Sequence, residues 1–170
     1  FLGQPTLAGP VTLSITGHGR WRGEDRSAKA QLTVEQSRLG HVKVAGGGAN
    51  LELAGKQVSY DASLQTNAGA LSLAGDGTPM ADVPLYRILR GEVTAIDLGI
   101  LLGRSDLHTD LNTSFTAQVA GSSPDSLQAT LGVVLLPSKV NQAELSSGSL
   151  QARVQGRNVQ GKLQATGQDA

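Results

Sequence analysis

The sequence predicts an all-β fold, an antiparallel meander curled into an open groove, with one short helical turn near 97–102. Three observations carry this expectation. Apolar and polar residues alternate with period two through most of the 170 residues, the signature of half-buried strands. Short glycine-rich breaks separate the alternating runs, as hairpin connections do. Helix signals are almost absent, so parallel crossovers have nothing to be built from.

The elements follow in order. Val11, Leu13 and Ile15 alternate with Thr12, Ser14 and Thr16, and Ala28, Ala30, Leu32 and Val34 with Lys29, Gln31 and Thr33. Val42 and Val44 flank Lys43, and Leu51 and Leu53 flank Glu52. Val58, Tyr60, Ala62 and Leu64 share one face, and Leu71 and Leu73 flank Ser72. From Pro79 to Arg90, Leu85, Ile88 and Leu89 suit one helical turn ahead of a strand at 92–96. Asp97 is placed to cap Leu98-Gly99-Ile100-Leu101-Leu102, because its carboxylate can accept the free N–H groups of a first turn.

The second half repeats the habit. Leu111, Thr113, Phe115, Ala117 and Val119 share a face, as do Leu127, Ala129, Leu131, Val133 and Leu135. Leu150, Ala152 and Val154 follow, then Val159, Gly161, Leu163 and Ala165. Turns are expected at Gly17, Gly46-Gly47-Gly48, Gly55, Gly75-Asp76-Gly77, 121–124, Gly148 and Gly156-Arg157-Asn158. Leu-Gln-Ala recurs at 127–129, 150–152 and 163–165, but the unequal intervals do not fit a solenoid of fixed repeat.

Composition removes several function classes. Net charge is zero and no basic stripe interleaves with aromatics, so no nucleic-acid partner is expected. Cysteine is absent, which rules out disulfides and thiolate metal sites. No segment is apolar enough to span a bilayer. The chain opens on Phe1 without a signal peptide, and it is read as one β-rich domain, 1–170, cut from a longer protein.

The alternation poses a physical problem. About ten strands, each with one apolar side, create a broad apolar surface that needs a cover. Either the sheet closes on itself as a β-sandwich with a dry core, or it curls into a trough that contacts an apolar ligand. Inward alanines (Ala28, Ala30, Ala62, Ala117, Ala129, Ala152 and Ala165) and an aromatic content of 3% leave room, which favours the trough. The expected lining is Val11, Leu13, Ile15, Leu32, Val34, Val42, Val44, Leu51, Leu53, Val58, Tyr60, Leu64, Leu71, Leu73, Phe115, Val119, Leu127, Leu131, Val133, Leu135, Leu150, Val154 and Leu163.

Polar candidates are weaker. Asp106, His108 and Asp110 would share a face if that segment were a strand, a row that could bind a metal or hold a base, but no second ligand cluster supports it. Arg20, Trp21 and Arg22 could meet anionic headgroups; the simpler reading is a Trp at a sheet end with both arginines in water. His18 and His41 read as exposed turn residues. Gly46-Gly47-Gly48 lacks the Lys-Ser/Thr of a phosphate loop, and no Gly-x-Ser-x-Gly elbow occurs. Adjacent Glu24 and Asp25 point apart on a strand. No catalytic residues, metal ligands or cofactor are expected, and the chain is not read as an enzyme.

Several segments carry a family resemblance. These are 111–121, then Asp125-Ser126-Leu127-Gln128-Ala129-Thr130-Leu131, then 138–148 and 149–155. Leu89-Arg90-Gly91-Glu92-Val93, followed by Ile96-Asp97-Leu98 and Leu101-Leu102, adds to them. Together they resemble the repetitive β-rich region of the TamB and AsmA-like family of bacterial envelope proteins. The resemblance implies a β-taco-like groove, polar outside and apolar inside. It implies an inner-membrane-anchored protein reaching through the periplasm of a diderm bacterium and carrying phospholipid between the two membranes. It also implies neighbouring repeats of the same chain as partners, and an outer-membrane β-barrel protein whose assembly role the chain would share. A β-sandwich spacer or binding module of a surface protein is the alternative.

Overall fold

The structure of the chain, a computed structural model, describes residues 12–22 and 25–167. Val11, Glu24 and their expected roles lie outside the described residues. The strands are β1 (Leu13–Arg22), β2 (Asp25–Val34), β3 (Ser37–Leu39), β4 (Val42–Ala54), β5 (Gln57–Thr66), β6 (Gly69–Gly77) and β7 (Leu85–Ile96). The helix α1 (Leu98–Leu102) follows, then β8 (Thr109–Ala120), β9 (Gln128–Leu135), β10 (Ser138–Val140), β11 (Ala143–Gln155) and β12 (Asn158–Gly167).

All twelve strands form one antiparallel sheet, in which chain neighbours are almost always sheet neighbours. Short β3 pairs with β4, while β10 fits between the ends of β8 and β11 beyond β9. Among the described residues β1 bonds only to β2, and β12 only to β11, so the sheet is open. The closed sandwich is not the fold: among the described residues every strand belongs to this one open sheet, and no large side chain is fully buried as a dry core would require.

Several expected turns are corrected. Gly46-Gly47-Gly48 lies inside β4, Gly17 inside β1, Gly148 inside β11, and Gly75-Asp76-Gly77 ends β6. The glycine triplet is extended because its neighbours hold it close. A Cβ on Gly47 would stand 2.6 Å from the Ser63 carbonyl and 3.0 Å from Leu64 Cδ1. The helical turn expected at 85–89 is also absent. β7 runs unbroken from Leu85, and Leu89 is the extra residue of a β-bulge, since Ile88 pairs with Gly75 and Arg90 with Ala74. His18 stands in β1, whereas His41 does occupy a turn.

The chain contains a structural duplication. Ser37, Val42, Ala54 and Thr66, which bound β3, β4 and β5, correspond to Ser138, Ala143, Gln155 and Gly167 in β10, β11 and β12, a constant offset of 101 residues. The bulge between Val44 and Gly46 recurs between Leu145 and Ser147. Turn geometry recurs too: Gly55 and Gly156 have φ of 62° and 57°, and Gly40 and Asn141 have 59° and 53°. β2 matches β9 at the same offset and β1 matches β8 at an offset of 100, one residue fewer, leaving β6, β7 and α1 between the two units. The unequal Leu-Gln-Ala spacing hid this because it marks strands within a unit.

Asp97 caps α1 as expected. Its Oδ1 accepts from Gly99 N at 2.7 Å and Ile100 N at 3.2 Å, and left-handed Gly103 closes the other end. Thr109 Oγ1 supports the entry, accepting from Leu98 N and donating to the Ile96 carbonyl. Asp97→Ala should therefore lower stability by about 1 kcal/mol, within the range for lost caps. A thermal melt checks this, and Asp97→Asn should restore most of the loss.

Candidate functional site

Register places four rows of apolar residues across ten strands. One row reads Ile15, Leu32, Ala49, Ala62, Leu73, Gly91, Phe115, Val133, Leu150 and Leu163, each paired with the next. The next reads Gly17, Ala30, Leu51, Tyr60, Gly75, Ile88, Ala117, Leu131, Ala152 and Gly161. The outer two begin at Leu13 and Gly19 and are built alike. Within the four rows only Thr113, Tyr60 and Tyr86 carry a polar side-chain atom. The alternate residues form the reverse face, which is mostly polar, with Ala70, Ala74, Ala120 and Val134 among its apolar members.

Nearly all the expected lining residues share this face. Leu13, Ile15, Leu32, Val34, Leu51, Leu53, Val58, Tyr60, Leu64, Leu71 and Leu73 lie in the rows. So do Phe115, Val119, Leu131, Val133, Leu135, Leu150, Val154 and Leu163. Val44 rejoins the face through its bulge, opposite Thr66, and Val42 follows it. Leu127 stands one residue ahead of β9, its carbonyl accepting from Gly156 N.

What the sequence reading missed is the glycine share of the face. Gly17, Gly19, Gly47, Gly75, Gly77, Gly91 and Gly148 fall in the rows beside Gly161, the one glycine already expected there. Their spacing was a usable signal: Gly75 and Gly77 continue the phase of Leu71 and Leu73. Two of them have a specific task. A Cβ on Gly91 would run into the Phe115 ring, and one on Gly75 would stand 2.6 Å from the Tyr60 ring. Both aromatics therefore lie over glycine of a neighbouring strand, which keeps the face thin.

Among the described residues the side chains of this face cover one another only in part. No large side chain among the described residues is fully buried. Exposure is greatest toward the edges, at 70% for Ile15 and 74% for Leu163. The exceptions are Val44, at 5%, and the cross-strand pair Leu53 and Val58, at 8% each. Beside that pair Arg26 bonds Met80 Sδ at 3.0 Å and stacks 5.0 Å from the Trp21 ring centroid. Arg26 thus joins the 78–84 connection to β1.

The electrostatics are structural. On the polar face Arg87 grips Asp76 with two bonds of 2.7 Å, and the bonded carboxylate raises the guanidinium pKa. Tyr60 donates to the Arg87 carbonyl at 2.8 Å; burial first, then the Asp76 charge, raises its phenol pKa. Asp106, His108 and Asp110 do not form a site. Asp106 pairs with Arg104, whose hydrogen bond lowers its pKa, and His108 stands 4.0 Å from Asp97. No group of three metal-ligating side chains occurs among the described residues. No described helix is long and apolar enough to cross a membrane.

Comparison with protein-family models, with curated proteins and with solved structures returned no match.

Proposed function

We propose that this chain is a segment of an envelope bridge protein whose apolar trough carries phospholipid acyl chains between inner and outer membranes. The carrying observation is the four largely apolar rows, whose side chains stay in large part exposed among the described residues, all of whose strands belong to one sheet. Ten strands at about 4.8 Å spacing give the rows a length of about 43 Å. That exceeds the ~30 Å hydrocarbon core that two opposed lipid tails fill in a bilayer. Each methylene moved from water onto such a surface gains about 0.8 kcal/mol, without any specific contact. The headgroup stays in water at the open edge.

The setting follows from the same reading. The chain is a periplasmic part of an inner-membrane-anchored protein, flanked by further repeats, and an outer-membrane barrel protein is its partner in assembly. No reaction is proposed for it. Site-specific photo-crosslinking in cells tests the trough. A benzophenone side chain at Leu150 should capture phospholipid, while one at neighbouring Gln151, on the polar face, should not. Equal labelling at both positions, or none at Leu150, would overturn the reading.

A further inference from the structure

The duplication sets two hollows at matching places on the polar face. The first, about 510 Å³, is lined by Thr16, Lys29, Asn50, Glu52, Ser59 and Asp61 among others. The second, about 580 Å³, is lined by Thr116, Thr130, Gln151, Arg153, Gln160 and Lys162 among others. The offset of 101 residues carries Asn50, Glu52, Ser59 and Asp61 onto Gln151, Arg153, Gln160 and Lys162.

The first hollow supplies its own counter-charges. Lys29 Nζ lies 2.9 Å from Glu52, and Asn50 donates to Asp61 at 3.0 Å. In the second, cations occupy both carboxylate positions and the lysine position holds Thr130. Neither Arg153 nor Lys162 has a side-chain hydrogen bond or ion pair among the described residues. Gln151 pairs with Lys162 and Arg153 with Gln160, so the two cations are diagonal neighbours, about 7 Å apart at the backbone. The facing positions of β9, β11 and β12 carry no acid; Thr130, Gln151, Gln155, Gln160 and Gln164 add hydrogen-bonding groups.

We infer that this second hollow binds a phosphate-bearing anion between Arg153 and Lys162. A phosphate monoester brings close to two negative charges, the charge that Glu52 and Asp61 bring to the first hollow. Arginine offers it a bidentate fork, lysine a point charge, and the glutamine amides further donors. The site lies on the face opposite the trough and stands independently of the lipid reading.

The test is an NMR titration of the chain at constant ionic strength, with inorganic phosphate in one arm and glycerol 3-phosphate in the other. Saturable shifts are expected at 151–153 and 160–162, and none at 50–52 and 59–61. Binding at least tenfold tighter for the ester assigns a headgroup-like ligand; equal binding assigns free phosphate. Arg153→Gln with Lys162→Gln should abolish saturation. Glu52→Arg with Asp61→Lys should create a second site in the first unit, a gain that misfolding cannot imitate. Shifts that never saturate, that are equal in both units or that survive the double substitution would overturn the inference.

Discussion

Gly91→Ala should cost about 1–3 kcal/mol of stability, read as a lower urea midpoint at unchanged slope. The new methyl would enter the space of the Phe115 ring on the adjacent strand. Alanine also restricts the unfolded chain, worth about 0.4–1 kcal/mol in the opposite direction, so any net loss understates the clash. A double-mutant cycle isolates the cause. In a Phe115→Ala background the alanine at 91 should be tolerated, giving a coupling of about 1 kcal/mol or more. An unchanged penalty there would mean the backbone, not the ring, needs glycine.

Leu131→Asp and Val133→Asp should each lower co-purifying phospholipid, measured by mass spectrometry, by about tenfold, equivalent to about 1.4 kcal/mol. Both side chains point into the trough from β9, in the middle two rows. A carboxylate there stays hydrated and repels the tail. Far-UV circular dichroism should be preserved, because the face is open and Leu131 is already exposed. In a closed core the same change would bury an unpaired charge and unfold the chain. Val134→Asp, on the opposite side of the same strand, should leave lipid content unchanged. No lipid in any sample would move the reading toward a spacer or binding module.

The sheet and its apolar face were readable because both rest on period two, which the sequence carries strand by strand. Asp97 and its helix were readable because a cap is a local signal. The glycines were misread for an equally physical reason. Glycine marks turns when its φ is positive, as at Gly55, but also marks floors where a neighbouring ring lies flat, as at Gly91. Only the partner strand distinguishes the two, and pairing register is not local. Leu89 was misplaced likewise, since a one-residue bulge disturbs the alternation enough to look helical. The duplication was hidden because equivalent positions keep their backbone shape and few of their side chains. Thus Gly40 answers to Asn141, and Glu52 to Arg153.

Ten strands cross the sheet, and ten is even, so the outermost two run in opposite directions. Another such set, placed alongside by its own leading strand, would keep every neighbour antiparallel and keep oil on the same side. Span then becomes adjustable in steps of about 48 Å without altering the cross-section, a matter of counting modules rather than of redesigning one.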